Sequence, residues 1–83
     1  MTGMSTADRE HLVRELLQRI LGITTAAGMD LVRSETPQWD SLKHMELVFA
    51  LEDEFGVRFD ESEFARLISP AAIARAIEDH LAA

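Results

Sequence analysis

A chain of 83 residues, 47% hydrophobic and 28% charged, has room for one small domain on one core, and its longest apolar run is far short of the roughly 20 residues that span a bilayer. Fifteen acidic against eight basic residues give a formal net charge of −7, which argues against binding to a phosphate backbone, so nucleic acid is not expected as a partner. Cysteine is absent, which excludes disulfides, thiolate metal ligands and a cysteine nucleophile together.

From Thr6 to Leu21 the apolar residues Leu12, Val13, Leu16, Leu17, Ile20 and Leu21 recur at i, i+3 and i+4 with charges between them, the pattern of an amphipathic helix. Ser5 or Thr6 can cap its start, Asp8 suits the positive end of the dipole, and Gly22 is a good stop. A long connection follows from Gly22 to Trp39, with Thr24, Thr25, Gly28, Ser34, Thr36 and Pro37 and no clear periodicity; Met29, Leu31 and Val32 predict that it packs down on the helices. A second helix is predicted from Ser41 to Phe55, ended by Gly56, with Leu47, Val48, Leu51 and Phe55 as its core stripe. A short helical turn over Glu61 to Leu67 has Asp60 as its cap, and a last helix starts after Ser69 with Pro70 at its first position and Ile73, Ile77 and Leu81 facing inward. No segment alternates long enough to found a sheet, so the expected fold is all-α: a small bundle of three main helices and one short one, with a long loop between the first two.

The polar, acidic stretch Met1 to Glu10 is unlike a basic segment followed by an apolar leader, which leads to the expectation of a cytoplasmic protein. His11, His44 and His80 have no metal-ligand spacing and read as solvated histidines on helix surfaces, so no metal site is expected. The acidic excess is localised: Asp40 to Glu63 holds eight acids against Lys43 and Arg58, a net of −6.

The sharpest local feature is Trp39-Asp40-Ser41-Leu42, where the long loop meets the second helix. Asp40 is a good N-cap, and Ser41 then falls at the first helical position with its hydroxyl toward solvent. A phosphodiester on that hydroxyl would sit at the positive end of the helix dipole, where backbone donors favour an anion. Taken alone, the triplet is ordinary capping chemistry. Two other readings of the region fail on their chemistry. A hydrolase built on Ser41, His44 and Asp40 lacks an acid to orient the histidine and an oxyanion-hole motif. A calcium loop over Glu52 to Glu63 has Val57 where glycine is required and Gly56 where an oxygen donor is required.

The continuation Asp40-Ser41-Leu42 … Glu46-Leu47-Val48-Phe49-Ala50-Leu51-Glu52-Asp53-Glu54-Phe55-Gly56 resembles the phosphopantetheine-binding region of acyl carrier proteins, in which a D-S-L triplet opens an acidic helix. The likeness runs on through Val57 to Glu61, Ile68-Ser69 and Ala72-Ile73, covering Trp39 to Ile77 strongly and the first helix only in pattern and position. It implies a carrier domain over residues 1–83, not an enzyme. A phosphopantetheinyl transferase would place a covalent 4'-phosphopantetheine arm from coenzyme A on Ser41, flanked by Asp40 and Leu42 as part of the site. The cargo, an acyl or aminoacyl group, would ride as a thioester on a thiol that the polypeptide itself lacks.

The resemblance further implies that Leu42, Met45, Glu46, Phe49, Glu52 and Asp53 face partners: the transferase, an acyl- or aminoacyl-activating ligase, and downstream acyl-transfer or synthase enzymes. Core packing is the competing reading for Met45 and Phe49, and a merely solvated face for the three acids. A monomer that needs no membrane is expected. Trp39 departs from the small residue common before D-S-L in fatty-acid carriers and is similar to the W-D-S of discrete carriers for D-alanine, aminoacyl or specialised polyketide units; structurally it reads as a packing anchor for the loop. The alternative for the whole chain is a helical interaction module with the carrier fold and no arm.

Overall fold

The computed structural model describes residues 5–24 and 31–82. Thr25, Gly28 and Met29 of the predicted loop lie outside the described residues. Among those described the regular structure is all helical, in the order α1 (Thr6–Leu21), a 3-10 turn η1 (Arg33–Glu35), α2 (Ser41–Phe55), α3 (Glu61–Phe64) and α4 (Pro70–Ala82).

The helix limits follow from local chemistry. At the start of α1 the Ser5 hydroxyl accepts the Asp8 N–H at 3.1 Å, and the Asp8 carboxylate accepts the Ser5 N–H at 3.4 Å, a reciprocal box that satisfies two otherwise orphaned donors. Gly22 and Gly56 end α1 and α2 with φ of 69° and 67°, a left-handed conformation that a Cβ makes costly. At α3 the Glu63 carboxylate reaches back to the Asp60 N–H at 2.9 Å. Ser69 caps α4, its hydroxyl accepting the Ala72 N–H at 3.2 Å, and Pro70 occupies the position where a missing N–H costs nothing. The short helix stops at Phe64, three residues before its predicted end, and a turn carries the chain on to Leu67.

The core is a single cluster. Val13, Leu17 and Leu21 of α1 meet Leu47, Val48 and Leu51 of α2 and Ile73 and Ile77 of α4, with Leu31, Trp39, Val57, Phe59 and Leu67 contributed by the connections. α1 packs chiefly on α4 and also on α2. Leu31 is buried, so the described end of the loop packs down as expected there, and η1 gives it a helical turn that the sequence pattern lacks. Phe55 is half-buried against the rim of the core.

One predicted core position is corrected. Leu81 is 53% exposed. It lies almost a turn beyond Glu78, which pairs with Arg9 near the start of α1 at 3.3 Å, so α4 has run past the end of the α1–α4 seam before the fourfold spacing is complete.

Candidate functional site

Ser41 is the first residue of α2 and is exposed, as are its neighbours Asp40 and Leu42. Its position is set from both sides. Asp40 is the N-cap: its Oδ1 accepts the Lys43 N–H at 2.9 Å and its carbonyl accepts the His44 N–H at 2.9 Å. Lys43 carries the nearest cation in sequence, and it pairs one turn on with Glu46 at 3.3 Å. The positive end of α2 is therefore the local feature that favours an anionic ester at Ser41. An exposed primary hydroxyl at a helix N-terminus, with the adjacent carboxylate occupied as a cap, fits a phosphodiester-linked group whose body extends into solvent.

Behind the serine the site is buried. Trp39, two residues before Ser41, is only 3% exposed, which bears out the packing-anchor reading. The Trp39 indole N–H donates to Nδ1 of His44 at 2.9 Å, and Nε2 of His44 lies 2.7 Å from the carbonyl oxygen of Phe64 at the end of α3. Both bonds exist together only for the neutral ring with its proton on Nε2, because Nδ1 must accept while Nε2 donates. Burial pushes the His44 pKa below its ordinary value; the bond to Phe64 works the other way, and the Arg33 guanidinium of η1 adds to the lowering. Thus the neutral form suits both the hydrogen bonds and the environment.

The reading of the three histidines as solvated surface groups is corrected here. His44 is 4% exposed, and His80 is half-buried with Nε2 at 2.7 Å from Oε2 of Glu63 and its ring edge-on to Phe59. Only His11, paired at 3.1 Å with Glu15, lies in the open. The signal for His44 was present in the sequence: positions 44, 47, 48 and 51 form one helical stripe. A polar residue on an apolar stripe is buried when it finds partners, and a tryptophan five residues back and the Phe64 carbonyl at the end of α3, which also accepts the Leu67 N–H at 3.2 Å, supply them.

The loop is fastened to this arrangement. The Arg33 N–H donates to the Ile68 carbonyl at 2.9 Å, the Trp39 N–H to the Thr36 carbonyl at 2.9 Å, and the Thr36 hydroxyl to the Val32 carbonyl at 2.7 Å.

The predicted docking residues divide. Leu42 and Phe49 are 69% and 63% exposed, against the core-packing reading for Phe49, while Met45 is half-buried. Glu46 and Asp53 are exposed. Glu52 is half-buried and accepts the Phe59 N–H at 2.9 Å, so it holds the chain after α2 as well as carrying charge, a role the spacing did not disclose. Phe49, Glu52 and Asp53 come together with Arg58 around a shallow depression of about 300 Å³, roughly 12 to 18 Å along the helix from Ser41 at 1.5 Å per residue. Ile68, one of the residues that carry the resemblance, is an apolar surface residue, 44% exposed.

No described helix is long and apolar enough to cross a membrane. A family model described as the phosphopantetheine attachment site matches residues 39–77. The match begins at the buried tryptophan and ends at Ile77 in the core of α4, enclosing α2, α3 and the exposed serine between them.

Proposed function

We infer, from the premise that the chain belongs to the phosphopantetheine-binding carrier family, that it is a discrete acyl or aminoacyl carrier whose covalent 4'-phosphopantetheine arm is attached to Ser41. The observation that carries this reading is an exposed serine at the first position of α2, inside the matched segment and beside a carboxylate already committed as the cap. When bound, the arm supplies the thiol on which cargo is held as a thioester. The polypeptide's own part is to present Ser41 Oγ to a phosphopantetheinyl transferase, to hold the surrounding backbone still, and to offer partners a recognisable face.

That face is the exposed side of α2. Leu42 and Phe49 lie seven residues apart, two turns of helix along one stripe, with Met45 between them and Glu46, Glu52 and Asp53 supplying negative charge. A partner with a basic rim around an apolar patch fits it, and electrostatic attraction speeds such encounters. Partners of this kind are the transferase, an acyl- or aminoacyl-activating ligase, and the acyl-transfer or synthase enzymes that take the cargo. Carrier domains are non-catalytic, and we assign this chain no reaction of its own. Residues 1–83 form one carrier domain in this reading, a cytoplasmic monomer serving a biosynthetic pathway.

The test is the intact mass after incubation with coenzyme A, Mg²⁺ and a broad-specificity transferase, beside the Ser41→Ala variant. One phosphopantetheine added to the wild type and none to the variant is the expected result. No addition to folded wild-type protein with several transferases would favour the arm-free interaction module.

A further inference from the structure

We propose that Trp39 and His44 form a two-residue clamp that positions Ser41 for arm transfer by fastening the N-terminal turn of α2 to the end of α3. The proposal rests on the carrier reading. It goes beyond it in assigning a role to two buried residues that touch neither the arm nor a partner.

The exposed segment Asp40, Ser41 and Leu42 buries nothing that would hold it in place. Helix ends with few buried contacts open at low free energy, so a serine at the first position of a helix needs an anchor if its hydroxyl is to be kept in one place. The anchors are Trp39 on one side and His44 on the other, the first buried residue of α2. A 2.9 Å bond joins them across the segment, and a 2.7 Å bond joins the pair to the Phe64 carbonyl. The Trp39 carbonyl lies 3.5 Å from Nε of Arg33, whose own N–H holds the Ile68 carbonyl, so the loop, α2 and the connection after α3 converge on the same point.

This geometry operates through one tautomer. A proton on Nδ1 of His44 sets two donors against each other and removes the bond to Trp39. Among the described residues the charged side chain acting on the ring is Arg33, and α3 presents it the Phe64 carbonyl. Because neither clamp residue lies on the exposed stripe of α2, disturbing the clamp leaves recognition by the transferase intact and misplaces the hydroxyl it must use. Misplacement of a reacting group by about 1 Å can cost on the order of a hundredfold in rate. An intermediate loss of about tenfold in kcat, with the KM for the carrier little changed, is therefore expected.

Two variants cut the two links separately. Trp39→Phe removes the indole donor, and His44→Asn keeps an acceptor toward Trp39 while losing the reach to Phe64 and the ability to be protonated. Steady-state arm transfer is measured on each from pH 5 to 8, with circular dichroism to show the fold and amide exchange at Leu42, Lys43 and His44 to show the order of the turn. Trp39 is the only tryptophan, so its emission reports the bond directly. We expect a kcat loss in both variants at pH 7.5 and faster exchange in the turn. The wild-type advantage over His44→Asn should shrink on acidification in step with the Trp39 emission, which stays flat in that variant. Wild-type kcat in both folded variants would overturn the clamp, as would a loss confined to KM. If the wild type accepts no arm at all, the carrier reading fails by itself. The clamp is then judged on amide exchange: unchanged protection in Trp39→Phe overturns it, and faster exchange upholds it.

Discussion

Replacing Asp40 by alanine should destabilise the protein by about 1 kcal/mol, the usual worth of a single N-cap hydrogen bond. The structure indicates why the figure is not larger. α1 has a return bond from its third residue, Asp8, and α3 one from Glu63, whereas the third residue of α2 is Lys43, which has no acceptor to offer the Asp40 N–H. One side-chain bond, Asp40 Oδ1 to the Lys43 N–H at 2.9 Å, is therefore at stake, on an exposed residue that leaves no cavity when shortened. Set against a total stability of about 4–12 kcal/mol for 83 residues, the loss is substantial, and it corresponds to a fall in Tm of about 4–8 °C. Asp40→Asn keeps the oxygen and loses only the charge at the positive end of α2, so it should cost about 0.3–1 kcal/mol. Thermal unfolding followed by far-UV circular dichroism at pH 7, with amide exchange at Lys43, measures both. An Asp40→Ala protein melting within a degree of wild type with Lys43 still protected would refute the cap. Equal losses in the two variants would show that the charge, not the bond, fixes the start of α2.

Leu51→Ala should cost about 2–5 kcal/mol, since the side chain is fully buried, and guanidinium titration should show the midpoint fall accordingly; a loss under 1 kcal/mol would mean that the core collapses around the gap. His44, with its pKa lowered in the fold, contributes stability that is complete above the ordinary histidine value and disappears as pH falls through the lowered one. Glu63, lowered first by the Asp60 N–H and then by His80, behaves likewise below the ordinary carboxylate range, so urea midpoints should fall in two separate acid limbs, the first absent in His44→Asn. Glu52→Gln should keep the Phe59 N–H protected from exchange while weakening binding to a basic partner, and Glu52→Ala should lose both; equal exchange rates in the two variants would contradict the bond at 2.9 Å.

The limits of the helices were legible because they are local. Ser5, Asp40, Ser69 with Pro70, and the glycines at 22 and 56 act on backbone groups within a turn, and short-range chemistry of that kind is written in consecutive residues. The exposed serine was legible for the same reason. For His44 the place on the buried stripe was legible but the partner was not, because the Phe64 carbonyl lies twenty residues away and only the folded chain brings it within reach. The bond that Glu52 makes was hidden on similar grounds, its partner being the Phe59 N–H beyond the turn at Gly56. Leu81 continued a correct period past the place where its neighbour helix ends, since periodicity describes the face of one helix and not the length of the helix opposite.

The exposed stripe of α2 joins two properties that usually conflict. Leu42 and Phe49 offer grease to any passing surface, yet they stand within a segment carrying a net charge of −6. Two copies of the protein approaching by this face repel before their side chains touch, and so does any other acidic molecule in a crowded solution. Adhesion thus becomes conditional: the apolar contact forms only with a surface that first neutralises the charge. As ionic strength rises and the screening length shortens to about 8–10 Å, that condition relaxes. If this face docks partners as proposed, the charge that holds two copies apart is the same charge that draws a basic counterpart in, and salt weakens both effects.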